Sequence, residues 1–382
     1  MKNIEKFITV GENIHCTRIL KVGGKAVGPG PDGRQAIAYG SAGSRKYLPV
    51  PEPFLNSPAW HDGKVKHCSV AIWQGNYGNS EGKDAGIDYL KTMARDQAAA
   101  GAHYLDINVD EFSTDIEEKM RVMRWTVQIV QDAAGLPVSV DSANTEILRA
   151  GLESCNPRLG KPMVNSVSLE REPAIEVAAR FGAVVIASAA GEKGLPCTTD
   201  ERLLNLRKLM TKLSDAGFCR PAIHIDPLVL PISTDPANGK SFLEAVSAAR
   251  SEYGPDIHIV AGLSNVSFGM PSRKLINQVF AWLAVEAGAD LAMGSRTRGR
   301  IEPGAMPFLN RRLGTPVLTA LVNLLFRARI SDVNCGQRAL RGEVARTLDL
   351  NAAGMEFASE MVIKAALRGL AIADVPVDFR KD

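Results

Sequence analysis

The stretch HIVAGLSNVS, residues 258–267, decides the fold. Its leading run of β-branched and small residues, 257–261, predicts a buried strand, and the strand stops at Gly262, Ser264 and Asn265 ahead of a helical pattern that begins near Ser272. Polar groups thus collect where the strand ends. One such end means little, but the same grammar recurs along the first three quarters of the chain.

Towards the N-terminus, each helical pattern is followed by a short apolar run with a polar end. Strands are predicted at 222–225 (then Asp226 and Pro227), 183–187, 163–167 (with Asn165 and Ser166), 136–140 (then Asp141, Ser142 and Asn144) and 104–109 (with Asp106 and Asn108). The intervening helices are expected at 84–100, 117–134, 145–154, 172–181, 200–216 and 240–253. A first strand at 7–14 ends in Gly11, Glu12 and Asn13, and on the other side a helix at 273–287 leads to an eighth strand at 291–293. Eight strands alternating with helices predict an α/β fold with a parallel sheet, read here as a (β/α)8 TIM-type barrel. A doubly wound open sheet is the rival, although no GxGxxG opens a helix after a strand, which argues against dinucleotide binding.

Between residues 16 and 83 the rhythm dissolves into Gly- and Pro-rich sequence, including Gly28-Pro29-Gly30-Pro31 and the Pro49, Pro51, Pro53 series. So long a connection is a functional lid or an insertion. Tyr47, Phe54, Trp60, Trp73 and Tyr77 favour an ordered flap.

The whole chain sets bounds on function. Its 382 residues are 45% hydrophobic, and a net charge of +3 without any Lys/Arg-rich run argues against nucleic acid and against an anionic membrane surface. Six scattered cysteines with no CxxC pair indicate neither a disulfide framework nor a zinc site. The N-terminus lacks the apolar core of a signal peptide and no apolar run reaches spanning length, so a cytoplasmic protein is expected.

In a barrel all strand ends meet at one mouth, which would gather Glu12, Asp106, Asn108, Asp141, Asn165, Asp226 and Asn265. Each alone reads as a strand-end cap or turn former. Taken together, carboxylates and amides suit a flat heterocycle rich in N–H donors and ring acceptors, because Asp accepts from an amino-pyrimidine and Asn does either. They do not form the His-rich or tightly clustered set of a metal site, and no protein-bound metal is expected.

These residues carry a resemblance. GEN at 11–13, DIN at 106–108, VDS at 140–142, NS at 165–166, IDPLVLP at 225–231 and GLSNVS at 262–267 resemble the pterin-binding methyltransferases that act on methyltetrahydrofolate and a corrinoid, which share the barrel of dihydropteroate synthase. The resemblance covers residues 4–290 apart from the 16–83 insertion. It implies methyl transfer from 5-methyltetrahydrofolate to the cobalt of a corrinoid (cobalamin) carried by a partner protein, and a homodimer. It implies that Asn265 is catalytic, aimed at the pterin nitrogen, and that Asp141, Asn165 and Asp226 grip the ring. Arg273 matches a basic residue after the GLSNVS loop, and Ser264, Glu12, Asp106 and Asn108 complete the expected substrate-binding set. Dihydropteroate synthase itself is the alternative within the fold, but its late Arg-x-His signature is absent.

Beyond residue 290 the pattern changes. MGSRTRGRIEPGAMP at 293–307, SDVNCGQRA at 331–339 and MEFASEMVIKAAL at 355–367 resemble the later part of family-two glycosyltransferases that load sugars onto polyprenyl or dolichol phosphate. Arginine outnumbers lysine twelve to two over 291–382, whereas 1–290 hold near-equal numbers, so composition marks the same junction. The Asp-x-Asp strand end that holds the sugar nucleotide in that family is missing upstream. Two domains are therefore expected: a pterin-binding barrel, 1–290, and a glycosyltransferase-like fragment, 291–382, that supplies the closing strand and helix. A gene fusion and a composite of unrelated sequences both fit the junction. A truncated glycosyltransferase relative and a non-catalytic pterin-binding protein remain the alternative functions.

Overall fold

A computed structural model describes residues 8–40, 43–192, 194–254, 256–285 and 291–295, and beyond them short stretches between 319 and 376. The chain packs as two compact units: residues 1–195, 205–226 and 256–258 in the first, and 196–204, 227–255 and 259–382 in the second.

The first unit is built on parallel strands Val10–His15, Tyr104–Asn108, Val138–Asp141, Met163–Val167, Val184–Ser188 and Ile223–Asp226, each paired with the next. The sheet ends at the short strand His258–Ile259. Because spatial order follows chain order with no reversal, the sheet is of the barrel type, and the doubly wound alternative, which needs a switch point, is set aside. Apart from Val10–His15, which is largely open, these strands are mostly buried along their length, and every residue of Val184–Ser188 is. That is why they read as short continuous apolar runs rather than as alternating ones.

Local chemistry sets the helix that follows each strand. Asp115 caps Ile116–Ala134 by accepting from the Glu117 amide at 3.1 Å, and Gly135, at φ 65°, ends it in the left-handed conformation. Asn144 caps Thr145–Glu153 through the amides of Glu146 and Ile147, at 2.9 and 3.2 Å.

The expected insertion divides in two. Residues up to 66 form two small antiparallel sheets, one pairing Ile19–Lys21 with Lys64–Lys66 and one of Val27–Pro29, Gln35–Tyr39 and Lys46–Pro49. The second is fastened to the helix Ser80–Ala99, where Asp88 receives Lys46 at 2.8 Å and the Tyr39 hydroxyl at 2.9 Å. Residues 67–77, by contrast, are a helix, His67–Tyr77, most of whose residues are buried. It belongs to the core rather than to a flap, and being buried nearly all round, with polar His67, Ser69 and Gln74 among its buried residues, it shows no amphipathic period in the sequence.

The eighth strand departs from expectation. Leu291–Ser295 forms, but it pairs antiparallel with Arg338–Leu340 and parallel with Ile372–Pro376 in a separate three-stranded sheet, so it does not close the seven-stranded one. The second unit also holds the helices Ala237–Tyr253 and Arg273–Val285, packed through Phe242, Val246, Val266 and Phe280. Helix Glu356–Leu367 contributes Met361, Val362 and Ala365 to two further apolar clusters. The segments 296–307 and 331–337 of the glycosyltransferase-like blocks lie outside the described residues. Among the described residues no helix is long and apolar enough to cross a membrane.

Candidate functional site

Strand register assembles the first unit's polar ends. His15 stands opposite Asn108, Asn108 opposite Asp141, and Asp141 opposite Asn165, one row across four adjacent strands. Asp106 lies two residues before Asn108 and so shares its face of the sheet.

The side chains of this row bond to one another. His15 Nε2 is 2.6 Å from Asp106 Oδ2 and 3.5 Å from Asp141 Oδ2. Asn165 Nδ2 donates to the other oxygen of Asp106 at 3.3 Å, and Asn108 Nδ2 donates to Asp141 Oδ2 at 3.1 Å. Asp106 is fully buried, whereas the Asp141 side chain keeps 21% of its exposure and can meet a ligand. Burial, and then repulsion by Asp106, push the Asp141 carboxyl up to about 7. Burial works to lower the His15 pKa, but its hydrogen bond to Asp106 and the two carboxylate charges outweigh that, and the net shift is upward. A histidine with two carboxylates is also a donor set found in metal sites. The 2.6 Å contact is a direct hydrogen bond, however, whereas two ligands on one ion with bonds of about 2.0–2.1 Å stand roughly 3 Å apart.

A second ring of contacts steadies the row. Asn108 Oδ1 accepts from the Asp110 amide at 3.0 Å, and Asp110 accepts from the Ser142 hydroxyl at 2.5 Å and the Ala143 amide at 2.9 Å. Arg171 donates to Ser166 Oγ at 2.7 Å and to the Ser142 carbonyl at 3.4 Å, tying the ends of two strands together.

Two expected members of the first unit stand differently. Glu12 is exposed and pairs with Arg18 at 3.2 Å. Asp226 ends its strand half-buried, opposite Ser188. His15, Asp110 and Arg171 were not among the residues expected from sequence. For His15 the reason is a register irregularity between Gly11 and Ile14, which breaks the two-residue alternation and brings His15, not Glu12, level with Asn108.

In the second unit, Leu263–Ser267 is a 3-10 turn, and the strand expected at 257–261 shrinks to His258–Ile259. Val266 anchors the turn in the apolar cluster, while Asn265 is exposed and its side-chain amide makes no hydrogen bond to the described residues. Arg273 holds the turn from the next helix: one guanidinium nitrogen donates to the Ser264 carbonyl at 2.9 Å and another to Ser267 Oγ at 3.2 Å. Ser264, Asn265 and Arg273 therefore form a constellation of their own.

Comparison with known proteins identifies the family. Residues 80–293, more than half of the chain, match the pterin binding enzyme family, and the chain belongs to it. It is similar to the methylcorrinoid:tetrahydrofolate methyltransferase of Eubacterium limosum, at 34% identity over 246 residues, 63% of this chain and 87% of that one. It is also similar to the low-salt glycan biosynthesis hexosyltransferase Agl6 of Haloferax volcanii, at 34% identity over 142 residues, 37% of this chain and about a third (32%) of that relative's length. Among solved structures, a dihydropteroate synthase of Xanthomonas albilineans matches at 20% identity and TM-score 0.43, over 55% of this chain and 79% of that one.

Proposed function

We propose that residues 1–290 form a domain that binds the pterin ring of a tetrahydrofolate and passes a methyl group from its nitrogen to the cobalt of a corrinoid carried by a partner protein. The observation that carries this reading is the register row of Asn108, Asp141 and Asn165 beside buried Asp106, within a chain of the pterin-binding family. The Eubacterium limosum relative supports it, although its name runs the methyl group the other way, from methylcorrinoid to tetrahydrofolate. Groups complementary to one transition state serve both directions.

Each residue has a role. Asp141 accepts from the amino-pyrimidine edge, Asn165 and Asp226 hold the ring's remaining donors and acceptors, and Asp106 and Asn108 fix their neighbours. The pterin nitrogen is a poor leaving group until a hydrogen bond or a proton withdraws its charge, and the exposed amide of Asn265 is suited to that task. Arg273 holds the turn that carries Asn265, together with Ser264. Glu12 is assigned to the same substrate-binding set. The cobalt is the nucleophile, so the chain itself needs none.

A second reading, pterin binding without methyl transfer, is favoured by one observation: Leu291–Ser295 pairs with Arg338–Leu340 and Ile372–Pro376 instead of closing the barrel-type sheet. Residues 291–382 would then be a glycosyltransferase-like addition without sugar transfer, since no Asp-x-Asp precedes it. Calorimetric titration with 5-methyltetrahydrofolate, run beside Asp141→Asn and followed by a methyl-transfer assay with free cobalamin in both directions, tests the two readings. Binding lost in Asp141→Asn together with transfer by the wild type is the expected result. Binding without transfer in either direction selects the second reading, and no binding by folded wild type overturns both.

A further inference from the structure

Within the His15 cluster, one residue is not called for by ring binding itself. Two carboxylates lie close together, Asp106 fully buried and Asp141 largely so, and among the described residues each receives one neutral amide hydrogen bond, from Asn165 and Asn108 respectively. Neutral donors of that kind do not cancel the repulsion between two negative charges at low dielectric. The imidazole of His15 lies within 2.6 Å of one carboxylate and 3.5 Å of the other. Arg18, the other cation near it, is occupied by Glu12 at the surface. The groups near His15 are Asp106 on the adjacent strand and Asp141 on the strand beyond it, Glu12 and Arg18 on its own segment, and the buried thiol of Cys68 on helix His67–Tyr77, with Asp110 acting in turn on Asp141.

We infer that His15 is a positioning residue of the pterin site: it bonds to Asp106 as an imidazolium and stands beside Asp141, so that Asp141 gives up its proton and becomes an acceptor for the ring at a lower pH than it would without that charge. The inference rests on the proposed role of Asp141 as the residue that grips the ring. Its physical content is a proton placement. With the proton on the imidazole, Asp141 offers lone pairs to ring N–H donors. With the same proton moved to Asp141, the cluster carries the same net charge but the carboxyl oxygen becomes a donor and opposes the ring. A glutamine at position 15 can keep an N–H donor for Asp106 yet cannot carry charge, so it separates the hydrogen bond from the proton.

The test is calorimetric titration of wild type and His15→Gln with 5-methyltetrahydrofolate from pH 6 to 9. Wild-type affinity should rise as pH passes through about 7 and level off by pH 8. The variant should bind at least about tenfold more weakly at pH 6.5 and recover by up to about tenfold per pH unit towards wild type as the unaided Asp141 ionises. Equal affinity at every pH, or a uniform loss without a pH slope, overturns the inference while leaving the pterin reading intact. Absence of binding by the wild type at every pH overturns that reading and the inference with it. Should His15→Gln not fold, the nitrogen-15 spectrum of the wild type decides: the six histidines are few enough to assign. A doubly protonated His15 ring at pH 7 is expected, and a neutral one refutes the assignment.

Discussion

Gly151 lies so tightly against Val140 that a Cβ built on it would stand 2.5 Å from Val140 Cγ1 and 3.1 Å from Met123 Cγ. Val140 is fully buried in a strand held on both sides by its neighbours, so it cannot retreat. Gly151→Ala gains up to about 1 kcal/mol of helix propensity but overpacks the core, at a cost of typically 1–3 kcal/mol. A net loss of stability by denaturant unfolding is expected. Val140 precedes Asp141, so pterin affinity should fall as well. A variant with unchanged midpoint and affinity would show that the helix slides freely, against the packing described.

The charge cluster predicts a pH dependence with a definite sign. Asp141 sits at about 7 when folded, above its ordinary value of 3.8, so its contribution is fully present below about 3.8 and is lost as pH rises through 7. His15 is likewise raised and acts in the same direction above 6.5. His67 and His224, both lowered by burial to about 4, act oppositely: stability gained between about 4 and 6.5 is lost as pH falls. Those two histidines are common to wild type and Asp141→Asn, so they cancel in the difference. The stability of Asp141→Asn relative to wild type should therefore rise between pH 4 and 7.5 and then level off, read from urea midpoints at half-unit intervals. A difference that stays constant with pH would mean that Asp141 is not held protonated by its surroundings.

Why was the row at the strand ends legible and His15 not? Asp106, Asn108 and Asp141 lie on regular strands and Asn165 directly before a register shift in its own, and parallel pairing sets Asn108, Asp141 and Asn165 side by side. His15 lies beyond the irregularity at Gly11 to Ile14, where counting by twos fails. The helix His67–Tyr77 hid for a different reason. Most of its residues are buried, polar His67, Ser69 and Gln74 among them, so no exposed polar face marks its period. The strand Leu291–Ser295 was legible as a strand, but its partners, Arg338–Leu340 and Ile372–Pro376, follow from pairing between distant segments that no local pattern encodes.

Arg202 is fully buried, and among the oxygens it donates to are Pro227 O at 2.9 Å, Thr198 O at 3.0 Å and Ser241 Oγ at 2.7 Å. It thereby fastens the start of the PLVLP segment to two helices. Arg202→Met keeps much of the volume but strips those oxygens of their donors. The loss of charge-assisted bonds, offset in part by no longer desolvating a guanidinium, should cost about 2–4 kcal/mol. Denaturant unfolding measures this, and a loss below about 0.5 kcal/mol would show that water replaces the guanidinium.

Asn265 and Arg273 belong to one turn and should fail in different ways. Asn265 is exposed and its amide is unbonded to the described residues, so Asn265→Ala should change stability by no more than about 0.5 kcal/mol. If that amide meets the pterin nitrogen in the transition state, the methyl-transfer rate should fall by about 10² or more with little change in binding. Arg273 does the reverse: it bridges the Ser264 carbonyl and the Ser267 hydroxyl, and its guanidinium lies 5.9 Å from the Phe268 ring. Arg273→Lys keeps the charge but not the fork that reaches both oxygens, so it should loosen the turn and weaken folate binding, with a smaller loss of rate at saturation. Comparing KM with kcat for the two variants separates these effects. Equal losses in both constants for both variants would mean that the turn acts only as scaffold, and Asn265 would lose its catalytic assignment.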